Sequence, residues 1–253
     1  MNKLTFIPII GIPEIKSGDN IPKIINQGLN TNKISLKNND VLVITQKIIS
    51  KAEDRIINLT SVNPKSKAIE LGKKLKKNPR LIQLIIDESK SIIKIDKHRG
   101  IIITETKLGH ICANSGIDSS NIYGTNNVSL LPRNPDKSAK FIYKNLKQKF
   151  NLENLGIIIS DTFGRPWRIG QTNISIGSYG INPLIDYSNN TDAFGEKLNT
   201  TKICIVDELS GGAEILMEKS LKIPAVLIRG VKFQFSDQGS KEILRDKNLD
   251  LFR

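Results

Sequence analysis

Asp161 and Thr162 stand side by side just after the apolar run Ile157-Ile158-Ile159, and Arg165 and Arg168 follow around the only tryptophan, Trp167. The apolar run reads as a buried strand, and the sequence predicts that it stops at Asp161-Thr162, leaving a carboxylate and a hydroxyl at a strand end. That pair suits a hard divalent cation, because Mg²⁺ and Mn²⁺ prefer oxygen ligands. Guanidinium groups suit phosphate or carboxylate, which they bind through paired hydrogen bonds. Metal and anion chemistry side by side suggests phosphoryl transfer. A polar turn with two solvated arginines is the alternative reading of these residues alone.

Three other segments carry candidate chemistry. Residues 110–121 run from an apolar stretch into small polar residues and then place Asp118 and Asn121 three apart. Asp118 could bind a metal and Asn121 a base or phosphate; an Asx-rich turn explains the same residues. If the strands before Asp118 and Asp161 are neighbours, the two carboxylates converge on one rim, as divalent-metal sites require. Residues 206–223 bring Asp207, Glu208, Glu214 and Glu218, with a helix expected over 208–219, where Glu214 and Glu218 also read as solvated charges. Near the N-terminus, Gly11-Ile12-Pro13-Glu14-Ile15 reads as a rigid apolar turn. No Gly-x-x-x-x-Gly-Lys-Ser/Thr loop and no Gly-x-Gly-x-x-Gly turn occurs, so a bound nucleotide would need a different kind of site.

These residues need elements to position them. Asp40 to Thr45 is a β-rich run, and Gln46 to Glu53 starts the next element, where Lys47 and Lys51 would share a helical face. Such a strand-to-polar-turn junction often meets a ligand. Residues 63–95 read as a helical pair, with Asn63-Pro64 and Asn78-Pro79 as two cap-plus-proline starts. Residues 99–113 read as strand, 136–150 as an amphipathic helix, and 156–161, 201–207 and 224–229 as further strands. Helix and strand mix without strict alternation. The fold class expected is α+β, with mixed sheets and flanking helices. No linker or repeat divides the chain, so any two domains would be closely joined or interleaved.

Composition narrows the function classes. The chain has 253 residues, enough for a substantial core, and no apolar run near the ~18 residues of a membrane span. The N-terminus lacks the features of a secretory signal, so a cytoplasmic location is expected. Cys112 and Cys204 lie in apolar runs and read as buried free thiols. No cysteine–histidine cluster has zinc spacing, and neither His98 nor His110 sits in a defensible Ser/His/Asp pattern. A net charge of +13 allows a nucleic-acid surface or a site for anionic small molecules. Its densest cluster, Lys73 to Lys77, falls at the end of an expected helix, where cations complement the helix dipole. Nucleic-acid signatures are absent, and a nucleic-acid role is not favoured.

Taken together, the segments resemble the coenzyme F420-0:L-glutamate ligase family. Its carriers are Gly11-Ile-Pro-Glu-Ile, the run Asp40 to Glu53, Ala113-Asn-Ser-Gly-Ile-Asp-Ser-Ser-Asn, Leu130-Leu-Pro-Arg-Asn-Pro-Asp, Ser160 to Thr172, and Val206-Asp-Glu-Leu, in family order. The resemblance implies one ligase unit over residues 1–253 with that family's fold, without the nitroreductase-like domain of some bacterial members. It also implies a homodimer using GTP with Mg²⁺ or Mn²⁺, two ions per site, and K⁺ as a further ion. The activity implied is addition of L-glutamate to the phospholactyl carboxylate of F420-0 through an acyl phosphate, followed by γ-glutamyl extension. Residue by residue, Asp118, Asp161 and Thr162 match metal ligands, with Glu218 as the second-metal ligand. Ile12, Pro13, Glu14, Ile15, Gln46, Lys47, Lys51, Asn121, Met217, Glu218 and Lys219 fall on nucleotide positions. Arg165 and Arg168 are expected to hold substrate anions. The chain departs from the common Met-Gly-Gln/Glu pattern at Met217-Glu218-Lys219, lacking the glycine and running about one residue shorter. A GTP ligase with another acceptor and a basic binding module are the competing readings.

Overall fold

The computed structural model describes residues 3–188 and 190–251. In chain order it begins with β1 (Thr5–Pro8), α1 (Ile21–Thr31), β2 (Asp40–Thr45), α2 (Gln46–Ala52) and β3 (Ile56–Asn58). Then come α3 (Ser66–Leu75), α4 (Pro79–Asp87), β4 (Ser89–Asp96), β5 (Ile101–Thr106), β6 (Ile111–Ala113), β7 (Asn127–Ser129) and α5 (Pro135–Phe150). The last part holds β8 (Leu155–Arg165), β9 (Arg168–Tyr179), β10 (Leu184–Asp186), β11 (Lys202–Cys204), α6 (Ile205–Met217) and β12 (Ala225–Arg229).

The central sheet has the order β1-β12-β2-β8-β9. It is mixed: β2 and β8 run parallel, and the other neighbours are antiparallel. The apolar runs in β2 and β8 follow from their place, since a central strand buries side chains on both faces. Leu42, Ile44, Ile157 and Ile159 join the cluster that includes residues of α1 and α5; Val41, Val43 and Ile158 join the opposite cluster, under α6. At one close approach only glycine fits: a Cβ on Gly177 of β9 would lie 2.3 Å from Pro135 Cβ, where α5 starts. At the sheet end, Arg229 Nε and Nη2 donate to both carboxylate oxygens of the buried Asp40 at 2.8 and 2.7 Å. Two parallel bonds of this kind suit a buried ion pair better than one.

Between α2 and β8 the chain builds a second layer. Its antiparallel sheets are β4-β5-β6 and β3-β7, packed with α3 and α4 around separate clusters that include Ile82, Ile85 and Ile102, and Leu84, Val128 and Leu130. The α+β class with mixed sheets is therefore observed. Among the described residues, no helix is long and apolar enough to cross a membrane.

Local signals explain several element starts. Asn78 accepts a hydrogen bond from Arg80 N at 2.9 Å, with Pro79 opening α4 as expected. Asn134 likewise caps α5 through Lys137 N at 2.9 Å. Asn63-Pro64 does not start α3, which begins at Ser66. There the Lys65 amide is taken by Gln83 Oε1 of α4, so a tertiary bond overrides the local cap. Four further differences matter. Residues 89–95 are strand, not helix. The strand expected over 201–207 ends at Cys204, and α6 starts at once. The polar stretch from 168 is strand β9. Finally, β8 continues past Asp161-Thr162 to Arg165 and turns back as a hairpin, because pairing with β9 supplies the hydrogen bonds that the polar sequence does not advertise.

Candidate active site

The parallel register pairs Thr45 of β2 with Ser160 of β8, so Gln46 and Lys47 at the start of α2 come beside Asp161 and Thr162. The carboxyl ends of neighbouring parallel strands are where α/β sheets usually bind ligands. A cavity of about 1190 Å³ opens here. Its lining includes residues 12–15, Gln46, Lys47, Lys51, Asp118, Asn121, Asp161, Thr162 and 217–219. The space exceeds the ~300–1,000 Å³ of ordinary small-molecule pockets.

On one side of β8, two carboxylates converge. Lys47 Nζ donates to Asp118 Oδ2 at 2.6 Å, to Ser129 Oγ at 3.1 Å and to the Ser120 carbonyl at 3.2 Å. Burial pushes the Asp118 carboxyl up, but hydrogen bonds from Lys47 and Ser120 outweigh it and hold Asp118 below the usual carboxylate range. Burial pushes Asp161 up to about 6, and the nearby Asp118 charge adds to the push. The Thr162 backbone N–H, the Lys47 charge and a hydrogen bond from Gln46 oppose it. Gln46 is itself buried and accepts from Ser50 Oγ at 2.7 Å, which fixes its amide. Two neighbouring carboxylates, one of them held protonation-prone by burial and by the charge of the other, are a fitting base for one divalent cation, whose other ligands can be phosphate oxygens and water. Among the described residues, no group of three or more His, Cys, Asp or Glu gathers as a metal cluster.

On the other side of β8, the arrangement differs. Thr162 Oγ1 donates to Asn173 Oδ1 at 2.6 Å and accepts from Lys219 Nζ at 2.6 Å. Lys219 Nζ also donates to Glu214 Oε1 at 2.8 Å, and Glu214 Oε2 accepts the Asn173 amide at 2.8 Å. The residue from this turn that reaches Thr162 is Lys219, not Glu218. Glu218 caps α6 with φ 46° and ψ −171°, a conformation that glycine adopts at least cost, and it is exposed. This chain thus puts Glu218 in a glycine-like position and the ammonium next to it at Thr162.

The remaining expected residues fall in three places. Ile12 and Ile15 are buried in the core, so their side chains anchor the turn, while Pro13 and Glu14 are exposed. Lys51 pairs with Glu14 across the cavity mouth. Asn121 Nδ2 donates to the Lys219 carbonyl at 3.2 Å, tying the 118–124 loop to the turn after α6. Arg165 and Arg168 face each other across the hairpin tip, outside the cavity lining. Trp167 there is 80% exposed.

Some participants were missed. Ser129 holds Lys47 from β7, a partner brought in by long-range folding with no local signal. Glu214, read as a solvated charge, is instead bonded to β9. A signal existed: it borders the buried stripe Val206, Leu209, Ser210, Ala213 and Met217, seven residues after Asp207. Asp207 Oδ1 likewise accepts the Ser175 amide at 2.8 Å, so two of the three acids of α6 satisfy alternate amides of the edge strand. His110 is buried with Nε2 3.2 Å from the Ile176 carbonyl, and burial lowers its pKa. Both cysteines are free; burial pushes each thiol up to about 12, so neither is a reactive thiolate.

The family described as F420-0:Gamma-glutamyl ligase matches residues 9–230, which span every residue of both sides of β8. The chain belongs to this family. A coenzyme F420:L-glutamate ligase of Methanocaldococcus jannaschii is 40% identical over 252 residues, covering 98% of this chain and 97% of the relative. Its namesake from Methanothermobacter thermautotrophicus is 37% identical over 253 residues, covering 99% of each. That of Archaeoglobus fulgidus is 32% identical, covering 99% of this chain and 97% of the relative. The family match contains the cavity walls and the hairpin tip alike.

Proposed function

We propose that this chain is a GTP-dependent ligase that joins L-glutamate to the phospholactyl carboxylate of F420-0 and then extends it through γ-glutamyl links. The observation that carries the reading is the convergence of Asp118, Asp161 and Lys47 at one end of a large cavity, in a chain of the ligase family. A carboxylate is a poor acylating agent. Transfer of the γ-phosphoryl group of GTP makes it an acyl phosphate, which the glutamate amine attacks, releasing phosphate; GDP is the other product. The transfer brings anions together, so electrostatics and positioning dominate. Bound Mg²⁺ or Mn²⁺ at Asp118 and Asp161 would neutralise phosphate charge. Lys47 would place an ammonium beside the same phosphates, and the buried Gln46 amide keeps Asp161 oriented. The Ile12–Ile15 turn and the Lys51–Glu14 pair form the rim against which the nucleotide would pack.

The dimer belongs to the same proposal. Trp167 and the fully exposed Ile169 stand at the tip of a hairpin whose arginines miss this chain's cavity. A second copy covering the tip would bury both side chains and give Arg165 and Arg168 a cavity to serve. Sedimentation should show a dimer that Trp167→Ala weakens; a monomeric native protein with full activity would remove this part. For the ligase itself, GDP release from GTP should require both L-glutamate and the deazaflavin acceptor. Release driven equally well by an unrelated carboxylic acid would keep the nucleotide chemistry and overturn the acceptor.

A further inference from the structure

The two sides of β8 do not offer the same thing to a cation. The Asp161 face sets two carboxylates, Asp118 and Asp161, against one ammonium, Lys47, which donates to Asp118 Oδ2 while Asp118 Oδ1 accepts the Ser120 amide. Thr162 is already engaged: its proton goes to Asn173, and a lone pair takes the Lys219 ammonium at 2.6 Å. Glu214, the carboxylate bonded to the same ammonium, spends one oxygen on the Asn173 amide and the other on that ammonium. Glu218, the acid that the resemblance would supply, lines the cavity but is exposed, has a positive φ and does not bond Thr162, which takes Lys219 instead. Lys222 lines this cavity too, so the turn after α6 contributes two lysines against one carboxylate, Glu218. A divalent ion at Thr162 would have to expel Lys219 from two partners, and the acid so released, Glu214, would still be held by the Asn173 amide through its other oxygen.

We propose that Lys219 is a resident cation standing where the resemblance places the second divalent ion, so that each chain binds one such ion, at Asp118 and Asp161. An ammonium donates N–H bonds to phosphate oxygens and can neutralise them as a point charge. It differs from a metal in staying with the protein at every stage of turnover. Its carbonyl, bonded by Asn121, and the Glu218 turn fix where it stands. The Lys219 side chain is 65% exposed, so replacing it should leave the fold intact.

This inference rests on the metal- and nucleotide-dependent reading above. The test is Mn²⁺ stoichiometry, read by electron paramagnetic resonance of unbound Mn²⁺, with the full chain saturated by a non-hydrolysable GTP analogue. Nucleotide binding is measured separately by fluorescence of a labelled analogue. The expected result is one Mn²⁺ per chain in the native protein and in Lys219→Arg, and two in Lys219→Glu, which replaces the cation by a ligand. Two ions in the native protein, with nucleotide bound, would overturn the inference and leave the ligase reading standing. One ion in every variant would also overturn it, since Lys219 would not be what excludes the second. Failure to bind nucleotide at all would overturn both readings together.

Discussion

Asp161 and Thr162 are adjacent in sequence but serve opposite faces of one strand, and their surroundings have opposite character. Asp161 meets a second carboxylate, Asp118, which Lys47 holds by an ion pair. Thr162 meets a lysine whose charge is answered by Glu214. The first face keeps unneutralised oxygen for a divalent ion; the second supplies its own cation. Strand alternation makes this separation possible, because neighbours on a strand are sent to different environments. Local sequence therefore suggests one metal pair, Asp161-Thr162, where the fold provides two unlike sites.

Substitutions can break or sharpen that contrast. The largest effect is expected for Asp161→Asn, which removes a charge from the acidic face. Turnover should fall by on the order of 10³-fold or more, the scale of losing several kcal/mol of metal-assisted stabilisation. Its thermal melt should stay near the native one. Near-native activity would take Asp161 out of the site. Next, Lys47→Met should lower turnover by roughly 10²-fold, as loss of one charge-stabilising donor does elsewhere. Mn²⁺ affinity should not fall, because the ammonium competes with the ion for Asp118; a marked fall would make Lys47 a scaffold for the metal instead.

Arg165→Ala tests a third place, the hairpin tip. We expect KM for the acceptor to rise about tenfold, the worth of one charge-assisted hydrogen bond, with stability within ~0.5 kcal/mol of native. A large drop in melting temperature with KM unchanged would make the arginine structural. The smallest effect is expected for Glu214→Gln. The amide can still accept from Asn173 N, and the pair with the exposed Lys219 is weak. A loss of about 1 kcal/mol in urea unfolding is expected, with divalent-ion affinity unaffected. A loss of metal binding would erase the distinction between the faces.

Much of the scaffold was legible because its signals are local. The runs 40–45 and 224–229 are strands since central strands are apolar throughout. Asn78-Pro79 starts a helix since cap and proline act within one turn. Asn63-Pro64 carries the same signal and fails, because Gln83 claims the Lys65 amide from eighteen residues away. β9 was hidden by its polar first half, Arg168 to Thr172, which is strand only through pairing with β8. At the site, Asp118 and Asp161 were expected to meet if the strands before them were neighbours; those strands, β6 and β8, instead belong to different sheets, and the two carboxylates line one cavity from separate layers. The role of Lys219 was not legible, because it depends on the backbone angle of Glu218 and on a hydroxyl fifty-seven residues earlier.

The most direct test of the account is mass spectrometry of the product after incubating the purified protein with GTP, Mn²⁺, L-glutamate and F420-0. The account predicts acceptor masses raised in glutamate-sized steps, absent when GTP, Mn²⁺ or glutamate is withheld and absent in Asp161→Asn. Acceptor recovered unchanged by a protein that binds both GTP and the acceptor would contradict it.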